Sequence, residues 1–390
     1  MNAPIPVFRP RVADAARARV LATLDSGWLG YGPECRRLEE HFTKPRGGWA
    51  LATSSCTSAL YLAGRLVRML AKGDAPEVIV PAVTFVSSGV AFAEAGLRPV
   101  IADVDPDSLL LDPAAVERAL TPRTQAIVVV HLYGQRSPDL PRLRALADEH
   151  RLLLIEDCAH RSDLLDVTAP VGDLLCYSFN AVKELPGGEA GLIWGRDPEH
   201  ESWVRSVSNL GLTIDTMQRT STLRHGDYAF LSEPGLKLRS NDVCGALVMG
   251  GIETLAACRE LRGQQFQRYD RLLAPLAPAV KTLRRLDDDS FLMYVVKVPA
   301  PIREAIRAEM ANAGVATSVH YPSLARHPLL GNRPGSTGCA GQDECVLTLP
   351  TFLDLTAEEQ SRVADALAAA LDSASRSAGP RMAVGSPSPV

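Results

Sequence analysis

Residues 48 to 195 alternate between short apolar, β-branched runs and amphipathic stretches. Glu77–Val80, Pro99–Asp103, Ala126–Val130 and Leu152–Ile155 have the pattern of strands buried on both faces. Between them, Pro113–Leu120 and Leu140–His150 carry helical periodicity. Upstream, a hydroxyl-rich stretch leads from the apolar run Trp49–Ala52 into a helix over Ser58–Leu70. Strand–helix alternation predicts an α/β fold with a mostly parallel sheet covered by helices on both sides. In such sheets chemistry gathers at the carboxyl ends of the strands.

After residue 250 the pattern changes. Leu255–Leu273 is a long helical stretch rich in Arg, Glu and Gln. Phe291–Val298 and Ala316–His320 read as strands, and Pro301–Ala313 as a helix. Thr356–Leu371 closes as a helix, with Thr356 and Glu359 spaced as a capping box. The expected division is a large domain over 1–250 that includes an N-terminal arm, and a smaller C-terminal α+β domain over 251–371. The Ser-, Ala-, Gly- and Pro-rich 372–390 is expected to be a disordered tail. Asp287–Asp288–Asp289 reads as a solvated loop rather than a metal site.

Composition narrows the class. The chain has 390 residues, 46% hydrophobic and 22% charged, which is globular and long enough for a large core. A formal net charge of -4 gives no basic footprint for nucleic acid. No basic stretch precedes an apolar run at the N-terminus, and no uninterrupted apolar run of about 18 residues suggests a membrane span. The eight cysteines form no Cys-x-x-Cys pair, and Cys339 with Cys345 has no histidine pair to complete a zinc site. Reduced thiols, no metal and a cytoplasmic location are expected.

The candidate chemistry begins where Leu152–Ile155 runs into Glu156-Asp157-Cys158-Ala159-His160. Twenty-six residues after Asp157 stands Lys183, in a short loop before Gly187-Gly188. An acid at a strand end followed by such a lysine is what pyridoxal phosphate chemistry requires. The amine forms a Schiff base with the cofactor aldehyde, and the carboxylate keeps the pyridine nitrogen protonated, so that the ring acts as an electron sink. Residues two apart on a strand share a face, so small Ala159 leaves room for a flat ring beside Asp157. Thr53–Leu60 supplies hydroxyls and helix-start amides for a phosphate, and Ser178 adds a further hydroxyl. Phe85, after the strand that ends at Val80, is placed to cover the ring face opposite Ala159.

Several stretches in order carry a resemblance that covers nearly the whole chain. They are Ser26–Pro33, Ser54–Leu60, Val80–Val86, Asp103–Asp105, His131–Gln135, Glu156-Asp157, Ser178–Lys183, Gly187–Glu189, Asn209–Gly211, Gly235–Arg239, Gly314–Pro322 and Leu347–Pro350. The sequence resembles the DegT/DnrJ/EryC1/StrS family of sugar and cyclitol aminotransferases, which are fold type I enzymes dependent on pyridoxal 5'-phosphate (PLP). The resemblance implies that Lys183 is the Schiff-base lysine and proton shuttle. It also implies that Asp157 pairs with the ring nitrogen, that Phe85 stacks, and that Ser178 and the Ser55, Cys56 and Thr57 loop hold the phosphate. His160 falls where the family usually has glutamine near the cofactor's phenolic oxygen. Lys237 stands where many relatives carry asparagine, in a segment reached by the neighbouring subunit's cofactor phosphate, so a homodimer with shared sites is implied. Cys56 replaces a usual glycine, and Arg161–Asp166 replaces a small glycine-containing run near the mouth of the site. Tyr31, Arg239, His320 and Tyr321 are candidates for contact with substrate.

The function expected is transfer of an amino group from glutamate or glutamine to a keto group of a nucleotide-linked sugar or cyclitol. Such a step belongs to secondary-metabolite or cell-surface sugar biosynthesis, and the cofactor would alternate between PLP and pyridoxamine phosphate (PMP). Two alternatives stand beside it. One is a dehydratase or eliminating enzyme on a cyclic keto substrate, against which Lys183 counts because family dehydratases carry histidine there. The other is a non-catalytic regulatory relative, against which the intact Lys183 and Asp157 count.

Overall fold

The computed structural model describes residues 3–162, 169–213, 229–285, 288–331 and 341–377. A seven-stranded sheet contains β1 (Trp49–Thr53), β2 (Glu77–Pro81), β3 (Arg98–Ala102), β4 (Thr124–Val130), β5 (Leu153–Cys158), β6 (Leu174–Ser178) and β7 (Gly191–Gly195). Their spatial order is β1, β7, β6, β5, β4, β2, β3. Only β7 runs against the rest, pairing antiparallel with both β1 and β6. The predicted strands are present with ends shifted by a few residues; β6 and β7 lie outside the set that the pattern predicts.

The sheet is buried on both sides, which explains the near-continuous apolar runs. On one face the helix Cys56–Leu70 packs its Leu62, Leu66 and Val67 into a cluster with Val80, Val128 and Ile155. On the other, Leu140, Leu143 and Ala147 of the helix Leu140–His150 meet Ile79, Val129 and Leu154. Ile155 and Leu154 thus point to opposite faces, as the strand period of two requires.

A second, three-stranded sheet joins β8 (Lys281–Thr282), β9 (Tyr294–Lys297) and β10 (Val346–Leu349), with β9 in the middle. Helices Leu255–Leu273, Arg303–Asn312 and Ala357–Ser377 close its core. Thr356 and Glu359 form the expected capping box: the Glu359 N–H donates to Thr356 Oγ1 at 3.1 Å and the Thr356 N–H to Glu359 Oε2 at 2.9 Å. Ile5 of the N-terminal arm packs into this second core, not against the first sheet with which the arm was grouped.

Four expectations are corrected. Phe291 takes a left-handed backbone conformation (φ 58°), which breaks the expected strand Phe291–Val298 and leaves only Tyr294–Lys297. Ala316–His320 is not a strand, since it meets β10 only at Ser318 and Thr348 and the His320 carbonyl is taken by the Tyr133 hydroxyl instead. The closing helix continues to Ser377, so 372–377 are helical, while 378–390 lie outside the described residues. Asp289 is buried rather than solvated, and its carbonyl accepts from Arg259 Nε at 3.0 Å; Asp287 lies outside the described residues. Among the described residues no helix is long and apolar enough to cross a membrane.

Candidate active site

The carboxyl ends of β1, β2, β4, β5 and β6 open onto one cavity of about 530 Å³. That size suits a cofactor together with part of a substrate. The cavity is lined by Ser55, Cys56 and Thr57 after β1, Thr84 and Phe85 after β2, Asp157, Ala159 and His160 at the end of β5, and Ser178 and Lys183 after β6. His320 and Tyr321 line it from the side of the second sheet.

The helix Cys56–Leu70 starts at this cavity, capped by Ser55, whose Oγ accepts from the Ser58 N–H at 3.1 Å. The first amides of a helix have no carbonyl partner within it, so Cys56 and Thr57 present N–H groups at an anion-binding end. Gly191 on β7 makes this arrangement possible. A Cβ there would stand 2.4 Å from the Ser55 carbonyl carbon and 2.5 Å from the Cys56 nitrogen.

Asp157 and Lys183 face each other's charge inside this apolar setting. Asp157 is buried, and burial raises its pKa; hydrogen bonds from Ser88 Oγ (2.8 Å to Oδ2) and the Ala159 N–H (3.0 Å to Oδ1) only partly offset this. Burial lowers the Lys183 pKa to about 8, with Cys56, Asp157 and Glu184 pulling the other way. A lysine so shifted offers a neutral, nucleophilic amine near physiological pH.

His160 has a fixed tautomer. Its Nδ1 accepts from the Tyr133 N–H at 2.9 Å, so the proton sits on Nε2, 3.2 Å from the Tyr321 hydroxyl. Burial, with Lys183 and His320 adding to it, holds the His160 pKa well below the usual range, so the ring is a neutral donor. Burial also lowers His320 to about 4, and its Nδ1 lies 2.8 Å from Thr348 Oγ1. Phe85 is half-exposed at the mouth, its ring 5.6 Å from that of Tyr321.

Other sequence candidates lie elsewhere. Tyr31 does not line the cavity; its hydroxyl donates to Glu39 Oε1 at 2.7 Å and accepts from Arg205 Nη1 at 3.0 Å. Arg239 lies over the Tyr31 ring at 5.0 Å and donates to the Arg205 carbonyl at 2.7 Å. Lys237 is exposed and outside the cavity lining. Arg161 is buried with Nη1 on the Gly134 carbonyl at 3.2 Å, so it is set away from the open mouth where its segment was expected; 163–168 lie outside the described residues.

Sequence reasoning missed Phe8, which reaches the cavity from the N-terminal arm and sets its ring 5.6 Å from His320. No local pattern marks it, because the contact depends on the arm crossing to the second core. It also missed Thr84, which stands beside Phe85 in a stretch already singled out, and Ser88, two residues beyond that stretch in the first turn of the helix Ser87–Glu94; two hydroxyls four residues apart around a helix start were a usable signal.

The donor set fits one kind of group. A buried carboxylate that lacks a full complement of partners calls for a cation. A depressed amine calls for an electrophile, and a hydroxyl-lined helix start calls for a phosphate. PLP would meet all three needs: Asp157 would face its ring nitrogen, Lys183 its aldehyde, and the Ser55–Thr57 turn with Ser178 its phosphate.

Comparison with known proteins agrees. The profile of the DegT/DnrJ/EryC1/StrS aminotransferase family matches residues 10–368. The spore coat polysaccharide biosynthesis protein SpsC of Bacillus subtilis is 32% identical over 338 residues, 83% of this chain and 85% of that protein. The aminotransferase TlmJ of Streptoalloteichus hindustanus superposes with a TM-score of 0.83 at 29% identity, over 95% of this chain and all of that one. DesI, solved in the presence of its TDP-sugar product, gives 0.82 at 26% identity over 97% and 96% of the two chains. The strand-end acid, the buried lysine and the match across nearly the whole chain lead to one conclusion: this protein belongs to the DegT/DnrJ/EryC1/StrS aminotransferase family and is a PLP-dependent aminotransferase of fold type I.

Proposed function

We propose that the protein transfers an amino group from an amino acid, glutamate or glutamine, to a keto group of a nucleotide-linked sugar or cyclitol, as a step in amino-sugar biosynthesis. The observation that carries this reading is the meeting of Lys183 and Asp157 in one cavity whose outer wall is built from Phe85, His320 and Tyr321. SpsC and DesI support the acceptor class, since one is described in polysaccharide biosynthesis and the other with a TDP-sugar product.

The bound cofactor supplies an electron sink and a reversible carrier for the amino group. The chain's residues do the rest. Lys183 Nζ, neutral above about pH 8, accepts and returns the proton at the substrate carbon. Asp157 holds the ring nitrogen in its charged form. His160 donates from Nε2 without changing charge, and Tyr321 and His320 present polar atoms at the substrate end.

A homodimer with shared sites is part of the proposal. Leu29, Phe85, Leu210, Phe230 and Leu236 are large apolar residues left exposed. A second copy that covers these residues would also bring Lys237 to a neighbouring cavity.

The test is a spectral titration of the PMP form against a panel of nucleotide-linked keto-sugars and inososes. Return of the PLP spectrum with one of them identifies the acceptor class. Repeated turnover of a keto-sugar by the PLP form without any amino donor would instead establish elimination and overturn transamination.

A further inference from the structure

Asp157 is held by a directional chain of hydroxyls outside the residues discussed so far for cofactor binding. Ser88, in the first turn of the helix Ser87–Glu94, sets its Oγ 2.8 Å from Asp157 Oδ2. Thr84 Oγ1 lies 2.9 Å from Ser88 Oγ. Thr84 and Ser88 are each 1% exposed. Ser88 has a single hydroxyl proton, and an ionised carboxylate only accepts, so that proton goes to Asp157. Ser88 must then accept from Thr84, which fixes the order Thr84 to Ser88 to Asp157. The other oxygen, Oδ1, takes the Ala159 N–H at 3.0 Å and faces Cys56 Sγ at 3.9 Å.

We propose that Ser88, backed by Thr84, is a positioning residue that keeps Asp157 ionised and aimed at the cofactor's ring nitrogen. A carboxylate in an apolar site has two ways to lower its energy: to take a proton or to collect donors. If Asp157 took the proton from the ring nitrogen, the ring would lose its positive charge and its capacity as an electron sink. Ser88 weighs against that transfer by stabilising the anionic carboxylate, and Thr84 strengthens Ser88 as a donor by polarising it. The thiols of Cys56 and Cys176 around the same carboxylate are kept protonated by burial and add no rival anion. Cys158, Lys183, Tyr321 and His131 are the other titratable groups that act on Asp157. The inference rests on the cofactor and not on the sugar acceptor.

The test compares Ser88→Ala, Ser88→Thr and Thr84→Val in the full chain loaded with PLP. Two readouts are independent of turnover: the PLP dissociation constant and the pH midpoint of the visible cofactor band. A hydrogen bond to a charged group removed from a buried site should weaken PLP binding by about tenfold or more in Ser88→Ala. The pH midpoint should rise, because a ring with less positive charge makes the lysine-linked nitrogen more basic. Ser88→Thr, which retains the hydroxyl, should restore both values. Thr84→Val should move both in the same direction by less, and it carries the test if Ser88→Ala fails to fold. Wild-type affinity and midpoint in a folded Ser88→Ala, or equal changes in Ser88→Ala and Ser88→Thr, would overturn the proposal. A change of acceptor preference with both readouts unmoved would also count against it.

Discussion

Glu156 and Asp157 are consecutive buried acids on β5, yet they face opposite sides of the sheet and meet opposite fates. Glu156 points away from the cavity and is fully answered by the protein. His131 Nε2 lies 2.8 Å from Oε2, and the Gly172 N–H donates to Oε1 at 2.5 Å. Burial works to raise its pKa, but the His131 ring and the Gly172 amide overcome it, and the pKa is lowered. Asp157 faces the cavity with two good donors and a weak thiol, and its pKa is raised by burial. The difference is that Glu156 has its partners in the fold, whereas Asp157 has fewer; on the function proposed above, its free lone pair would meet the cofactor's charged ring nitrogen.

The comparison can be broken most sharply at the amine that shares the Asp157 face. Lys183→Ala should lower transamination on the order of 10⁴-fold, with loss of the visible cofactor band, measured by turnover and absorbance. A variant that keeps full turnover would remove the functional meaning of that face.

The next effect separates the two acids by sign. Asp157→Asn should weaken PLP retention by more than about tenfold while raising the thermal midpoint of the apoprotein, because a buried carboxylate only partly compensated by its donors is gone. Glu156→Ala should leave the His131 Nε2–H and the Gly172 N–H without their acceptor and cost about 1–3 kcal/mol of stability for each, read as a fall in the urea midpoint. If the apoprotein midpoints of the two variants moved the same way, the contrast would fail. The pH dependence follows the same signs. Glu156, with its pKa lowered in the fold, contributes stability that is present above its unfolded value and lost as pH falls through its folded value. Asp157, with its pKa raised, favours the fold at low pH, and this contribution is lost as pH rises from its unfolded value through its folded one.

A smaller effect sharpens the electrostatics of Lys183. The rate of PLP recombination with apoprotein should rise with pH around a midpoint near 8, where the amine becomes neutral, and not near the ordinary 10.5. The smallest belongs to His160. Its Nε2–H donor can be replaced by an amide N–H, so His160→Gln should change kcat/KM by no more than about fivefold, the scale of one neutral hydrogen bond. It should also leave the pH profile unchanged between 6 and 8, because the imidazole is already neutral there, held well below the usual range by burial.

The site was legible in the sequence where local pattern and chemistry coincide. The apolar run of β5 ending in Asp157, the hydroxyl-rich start of the helix Cys56–Leu70 and the lysine before a glycine pair each carry their meaning within a few residues. What was illegible depends on distant parts of the chain meeting. Phe8 reaches the cavity only because Ile5 bridges to Val315 in the second unit. Tyr31 and Arg239 carry a polar and a charged group that suit a substrate mouth, but the fold spends them on Glu39 and Arg205. Phe291 reads as strand by composition, and its left-handed backbone has no signature in a non-glycine residue.

The central claim is that Lys183, among the six lysines of the chain, is the one that bonds to the cofactor. Borohydride reduction of the PLP-loaded protein, followed by peptide mass spectrometry, tests it directly. The expected result is a single modified peptide with the cofactor mass on Lys183. Cofactor mass on Lys44, Lys72, Lys237, Lys281 or Lys297 alone, or on none, would contradict the account.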